Sequence, residues 1–309
     1  MSRVAIIGTG GIGGPLGVSL ARAGADVTFL ARGAHLAAIR ANGLRVEGDR
    51  GETLIQSAQV TDDPASAGIM DYVLFCVKQW DVESAGAAIR PMIGPGTAVL
   101  PLQNGIDAAE RLFPILGKDA VMGASALVTG SIVAPGVIRQ TGTYQTITFG
   151  EWDGTLSTRG ERLRDLCAQA GFEGVPSPDI TLAIWDKFAL LAPYGGVSAL
   201  TRLPAGKWRD DADVFALYEG ALREVVAISL ACGVKFPADI VARKCAFVHQ
   251  GFPAHHMASI GNDVVAGNRT ELDFLSGKVI ALGHEHGIAT PFNGFLYAAL
   301  KPYRNGRPG

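Results

Sequence analysis

Gly8-Thr9-Gly10-Gly11-Ile12-Gly13 follows directly on the apolar run Val4-Ala5-Ile6-Ile7 and opens an alanine-rich helical stretch at 18–23 that Gly24 closes. A G-x-G-x-x-G spacing between strand and helix reads as a dinucleotide-binding turn. Gly8 permits the tight turn, Gly10 lets backbone approach a pyrophosphate, and Gly13 lets the helix lie close to the strand. The diphosphate then rests on the amides of the helix N-terminus, so Thr9, Gly11 and Ile12 belong to the same binding set. The second apolar run, 25–30, ends in Leu30-Ala31-Arg32-Gly33. An NAD site places a carboxylate there for the ribose 2′-hydroxyl; here Arg32 stands instead, suited to grip a 2′-phosphate. NADPH is expected over NADH, against the alternative of an arginine on a solvated loop.

Two polar residues follow later apolar runs, where an open parallel sheet places its ligand crevice. Lys78, in Val77-Lys78-Gln79-Trp80, can reach the phosphate and ribose side of a coenzyme. Asn104, in Leu102-Gln103-Asn104-Gly105, can bridge nicotinamide and substrate. A solvated lysine and an Asn-Gly turn are the plain alternatives. Lys187 is odder, because its helical neighbours Ala183, Ile184, Leu190 and Leu191 are all apolar. Desolvation lowers an amine's pKa and suits it to proton donation near neutral pH; snorkelling of the amine to water is the competing reading. Asn268-x-x-Glu271 has capping-box spacing, so Glu271 either ties off a helix start or acts on substrate. His255-His256 and His284-x-His286 lack zinc-ligand spacing, and no metal is expected.

The elements that must position these residues alternate in the first half. Strand-like runs at 3–7, 25–30, 71–77 and 97–102 have helical or mixed segments between them, the pattern of a parallel sheet with helices on both faces. Further β-rich stretches lie at 120–128 and 137–149, and a helix at 158–170 leads to Pro176-Ser177-Pro178. Beyond that stiff connector the pattern is helical: 179–200, 212–232, 237–250, 257–266, 269–286 and 292–301. The expected fold is α/β, an N-terminal Rossmann-type doubly wound domain at 1–177 followed by an all-helical domain at 178–309. The tail, Asn305-Gly306-Arg307-Pro308-Gly309, is expected to fray.

Composition bounds the partners. With 309 residues, 48% hydrophobic, the chain has enough apolar mass for two cores, and a net charge of -2 with no Lys/Arg-rich run argues against nucleic acid. Asp186, Lys187 and two glycines interrupt the longest apolar helical stretch, so no membrane span is expected. Four cysteines without C-x-x-C spacing read as reduced thiols, and the first strand begins by residue 3, leaving no room for a signal sequence; a cytoplasmic location is expected.

Taken together, the chain resembles the ketopantoate reductase (2-dehydropantoate 2-reductase) family over nearly its whole length. The matching pieces are Gly8 through Gly13, Arg32, Val77-Lys78-Gln79-Trp80, Gln103-Asn104-Gly105, Trp185-Asp186-Lys187-Phe188 and Ser259 through Thr270-Glu271-Leu272-Asp273. The resemblance implies catalysis between a Rossmann and a helical domain, NADPH as hydride donor, and a 2-oxo acid or related ketone as substrate. It implies Lys187 as proton donor, Asn104 near nicotinamide and substrate, Ser259 on the substrate carboxylate, Glu271 at the reacting end, and a place in pantothenate biosynthesis. A homodimer is one open assembly.

The family's substrate asparagines are replaced by Leu191, Gly195, Ala205 and His256. An apolar pocket cannot reward a substrate hydroxyl. A less polar ketone is therefore expected, with Leu191 and Tyr194 as apolar wall. An imine reductase and a non-catalytic NADPH-binding regulator are the alternatives.

Overall fold

The structure, a computed structural model, describes residues 1–308. The chain runs β1 (Arg3–Ile7), α1 (Gly13–Arg22), β2 (Asp26–Leu30), α2 (Gly33–Asn42), β3 (Leu44–Gly48), β4 (Thr53–Ile55), β5 (Gln59–Thr61), β6 (Tyr72–Phe75), α3 (Val82–Ala88), β7 (Ala98–Pro101), α4 (Ala108–Leu116), β8 (Gly123–Ala134), β9 (Val137–Gly150), α5 (Thr158–Gln169) and β10 (Glu173–Pro176). Helices follow: α6 (Ile180–Thr201), α7 (Ala212–Ala231), α8 (Ile240–Gln250), α9 (Ser259–Ala266), α10 (Ser276–His286) and α11 (Pro291–Leu300).

The first sheet is parallel throughout, in the order β5-β2-β1-β6-β7. Its central strands are covered on both faces, which is why they read as unbroken apolar runs: Val4, Ala5, Ile6, Val73, Leu74 and Phe75 are all fully buried. The chain moves outward from β1 to β2 and β5, then returns to β6. The order reverses between β1 and β6, the switch point where such sheets bind ligands.

The β-rich stretches at 120–128 and 137–149 are one long hairpin, β8 paired antiparallel with β9. It builds a second sheet, β10-β9-β3-β4, with β8 on the other side of β9. The segment carrying β3 and β4 has too few alternating residues to stand out in sequence; β3 is held by β4 on one edge and β9 on the other. This sheet packs on α1: Ile138 fills the space beside Gly14, and Ile138, Ile147 and Phe149 share a core with Ile6 and Leu16.

Packing divides the chain into two units, residues 1–103 with 107–183, and residues 104–106 with 184–309. The division falls inside α6, a few residues beyond the Pro176-Ser177-Pro178 connector. The reason is Ile180, in the first turn of α6, which packs against Gly123 and Gly150 of the hairpin.

In the second unit the expected helix at 269–286 is shorter: a 3-10 turn at Leu272–Phe274 precedes α10. The expected fraying of the tail is corrected as far as Arg307. The Thr270 amide donates to the Arg304 carbonyl at 2.9 Å, Arg269 and Asn305 form a β-bridge, and the Arg307 amide donates to Gly267 at 3.2 Å. No helix among the described residues is long and apolar enough to cross a membrane.

Candidate active site

The first unit gathers the glycine turn, Arg32 and Lys78 at the carboxyl edge of the parallel sheet. Gly8, at φ +95°, lies so close to β6 that a Cβ would stand 2.9 Å from the Cys76 carbonyl. The same proximity brings Lys78, two residues further on, beside the turn. Thr9 ties the turn to the end of β2, its amide and hydroxyl both donating to the Leu30 carbonyl, at 3.2 and 2.9 Å. Arg32 follows two residues later, exposed, with no ion-pair partner among the described residues.

The turn fits a dinucleotide diphosphate. Nothing lies within 4 Å of where a Gly10 Cβ would be, so this side of the backbone is open to approach. Helix α1 starts with no side-chain cap and no acidic residue in its first turn, leaving amides for an anion. Gly13 packs on Gly8 and Ile6, as helix-to-strand closeness requires. Gly11 instead makes room for the hairpin, because the Gly130 carbonyl of β8 occupies the place a side chain would take.

Two residues assigned no role from the sequence hold Lys78 in place. The Gln103 side-chain amide donates to the Phe75 and Val77 carbonyls, at 2.9 and 3.2 Å, fixing the strand end from which Lys78 projects. Arg111 on α4 reaches the next residue, donating to the Gln79 side chain at 2.8 Å and its carbonyl at 2.7 Å while pairing with Glu83. These bonds join positions 26 to 32 apart in sequence, and no local periodicity marks them. The Lys78 ammonium lies 5.7 Å from the Trp80 ring centre. Asn104, three residues past β7, belongs to the second unit.

The second unit brings Lys187 and Glu271 together. Burial pushes the Lys187 amine down to about 8, and the negative charge of Glu271 pulls it partly back up. Glu271 is buried, and its side chain makes no cap bond to the 3-10 turn it precedes; α10 starts at Ser276, so the capping-box reading has no helix to serve. Trp185 and Phe188, both buried and 5.8 Å apart edge to face, anchor this part of α6, while Asp186 pairs with Lys244 at 2.6 Å.

Lys187, Leu191 and Gly195 recur at four-residue spacing on one face of α6. Leu191 is partly exposed, but Gly195 is buried, and a Cβ there would stand 2.9 Å from the Ile260 side chain. That contact carries the start of α9 onto the Lys187 face, placing exposed Ser259 next to it in the chain. The Ser259, Ile260 and Gly261 amides open α9 without a side-chain cap.

Tyr194 is not available as pocket wall. It is fully buried, stacked on Phe252 at 4.4 Å, with its hydroxyl 2.7 Å from His256 Nδ1 and 2.9 Å from the His256 carbonyl. The adjacent Pro193 removes a helical hydrogen bond, and the glycines after it let Ile260 and Leu296 close on the helix. Ala205 is also buried, its amide bonded to the His256 carbonyl at 2.8 Å. No group of three or more His, Cys, Asp or Glu among the described residues could hold a metal ion.

Comparison with known proteins covers both units. Residues 4–154 match the family Ketopantoate reductase PanE/ApbA, and residues 179–304 match Ketopantoate reductase PanE/ApbA C terminal. The 2-dehydropantoate 2-reductase of Mesorhizobium japonicum is 30% identical over 310 residues, covering 94% of each chain. Among solved structures, a PanE/ApbA family ketopantoate reductase from Ralstonia eutropha JMP134 superposes with a TM-score of 0.88 at 32% identity, covering 98% of each chain. The 2-dehydropantoate 2-reductase from Geobacter metallireducens GS-15 gives 0.90 at 28% identity, covering 97% of this chain and 99% of that one.

Proposed function

The chain belongs to the ketopantoate reductase PanE/ApbA family, and on that premise we propose that it is an NADPH-dependent reductase of the ketone of a 2-oxo acid, with Lys187 as proton donor. The observation that carries this reading is the placement of Lys187 on an apolar stretch of α6 near the buried Glu271 carboxylate, where burial pushes the amine down to about 8. In that range Lys187 is mostly protonated at neutral pH yet gives up its proton readily, which suits general acid catalysis.

Residues 1–177 hold the coenzyme in this proposal and residues 178–309 the substrate. NADPH, when bound, supplies the hydride. The open Gly10 backbone and the first amides of α1 receive the diphosphate, Arg32 takes the 2′-phosphate, and Lys78 and Asn104 serve the ribose and nicotinamide side. The Ser259 hydroxyl with the first amides of α9 orients the substrate carboxylate. The Lys187 ammonium stabilises negative charge growing on the ketone oxygen, where it is worth most, and then protonates that oxygen. Glu271 keeps the lysine charged against its burial.

The substrate we favour has a tail less polar than ketopantoate's. Leu191 offers methyls, and Ile260 fills the space at Gly195. His256 Nδ1 is committed to Tyr194. A site with few groups for a hydroxyl loses the discrimination of roughly 10⁴ that such groups supply. Reduction of a related ketone or an imine keeps the same residues and changes the acceptor.

The test is Lys187→Ala, assayed for turnover against a panel of 2-oxo acids and for NADPH affinity by fluorescence titration. The proposal expects kcat to fall by about 10²–10⁴ with NADPH affinity nearly unchanged. Retained turnover would remove Lys187 from the mechanism, and highest kcat/KM with ketopantoate would overturn the substrate assignment.

A further inference from the structure

His35 lies in the first turn of α2, three residues past Arg32, and both its ring nitrogens are committed to main chain. The Gly136 amide donates to Nδ1 at 3.0 Å. An amide nitrogen cannot accept, so Nδ1 carries no proton, and the neutral ring's single N–H is on Nε2. Nε2 lies 2.9 Å from the Thr9 carbonyl and donates to it. Only one tautomer satisfies both partners, and a doubly protonated ring would lose the Gly136 bond.

The two partners are far apart in sequence and different in kind. Thr9 is the second residue of the glycine turn, already tied to Leu30 through its amide and hydroxyl. Gly136 is in the tight turn between β8 and β9, at φ +78°, where its carbonyl accepts from the Arg45 amide at 2.9 Å. A Cβ on Gly136 would stand 3.2 Å from Ala38 of α2. The hairpin therefore meets the coenzyme turn at two points: by backbone contact between Gly130 and Gly11, and through the imidazole.

We propose that His35, as its Nε2–H tautomer, is a positioning residue of the coenzyme site, fixing the Thr9–Gly10 peptide by tying it to the β8–β9 turn. Thr9 is bound through amide, hydroxyl and carbonyl, so its peptide planes cannot rotate independently. The direction in which the following amides present themselves to a diphosphate is thereby set before the ligand arrives. Both ring nitrogens are occupied by main chain, so His35 acts without touching the coenzyme. The inference rests on the coenzyme reading under Proposed function.

The experiment uses the full chain and NADPH as probe. His35→Leu removes both bonds, His35→Gln restores a donor near Nε2, and His35→Asn restores only an acceptor near Nδ1. NADPH dissociation constants should rise about tenfold for the leucine and asparagine variants, as loss of one well-placed hydrogen bond allows, and stay within about threefold for glutamine. Ring nitrogen NMR on the wild-type protein without coenzyme should show the Nε2–H tautomer. If the leucine variant does not fold, the glutamine and asparagine pair still decides, with melting temperature as the check on structure. Equal affinity in all folded variants, or an Nδ1–H ring, overturns the proposal. Wild-type protein that binds no NADPH would overturn the coenzyme reading itself, a different result from equal affinities.

Discussion

Glu271 raises the Lys187 pKa that burial lowers, and the balance leaves the amine near 8. Removing the carboxylate without changing its shape, by Glu271→Gln, should therefore move the lysine further down. If Lys187 is the proton donor, as proposed, reduction needs the charged amine, so its rate should fall as pH rises through about 8 in the wild type. In Glu271→Gln the same fall should begin at lower pH. On the same proposal the reverse reaction uses the neutral amine and should rise through the same value. Paired pH profiles of kcat in both directions check this; an alkaline limb unmoved by the substitution would show that Glu271 does not act on Lys187.

Arg32 is exposed at the end of β2, without an ion-pair partner among the described residues, where an NADH site would place a carboxylate. A guanidinium there gains most from a 2′-phosphate and little from a hydroxyl. Arg32→Ala should weaken NADPH binding by about 1.5–3 kcal/mol, the range for hydrogen bonds to charged groups, and leave NADH binding nearly as it was. Dissociation constants for both coenzymes, measured at one ionic strength, test it.

The parallel sheet was legible because its central strands are buried on both faces and announce themselves as Val4-Ala5-Ile6-Ile7 and Tyr72-Val73-Leu74-Phe75. Gly8 through Gly13, Arg32 and Lys78 could be placed because each follows such a strand. The second sheet was less legible, since β3 and β4 are short, β4 pairs only with β3 among the described residues, and β3 is held on its other edge by β9, which lies far along the chain. Lys187 stood out by its apolar neighbours, but Tyr194 could not be told from a pocket wall. Its burial depends on Phe252 and His256, about sixty residues away, and spacing along α6 carries no trace of them. The positioning roles of Gln103 and His35 were hidden for the same reason, because their partners are main-chain atoms and main chain has no sequence signature.

Glu224 is a buried carboxylate on α7 that closes the start of α11. It accepts from the Phe292 and Asn293 amides at 2.7 and 2.9 Å and from the Asn293 side chain at 2.7 Å. Helix α11 has no side-chain cap of its own, so these are the bonds that satisfy its first donors. Glu224→Gln keeps the shape and weakens charge-assisted bonds, at a cost of about 1–3 kcal/mol. A chain of this size should then melt roughly 2–4 °C lower for each kcal/mol lost. Glu224→Ala should cost more, because the Phe292 and Asn293 amides lose their acceptor and the Asn293 side chain keeps only the Ala221 carbonyl. Thermal unfolding of the two variants should rank them in that order, with turnover at low temperature little changed.

Substrate preference should be adjustable on the Lys187 face of α6, and in an order set by packing. Leu191 is partly exposed, one turn past Lys187, and Leu191→Asn adds an amide without displacing a neighbour. It should raise kcat/KM for ketopantoate relative to an apolar 2-oxo acid by about tenfold, the effect of one hydrogen bond. Gly195 differs, because Ile260 stands 2.9 Å from where its Cβ would be, and overpacking a buried site costs roughly 1–3 kcal/mol. Gly195→Asn alone should therefore lower stability and turnover together. Paired with Ile260→Ala, which opens the space, the same asparagine should recover stability and add to the effect of Leu191→Asn. Kinetics of the single and combined variants on both substrates measure the coupling directly. If Gly195→Asn proves as active without Ile260→Ala as with it, Ile260 does not shape the site.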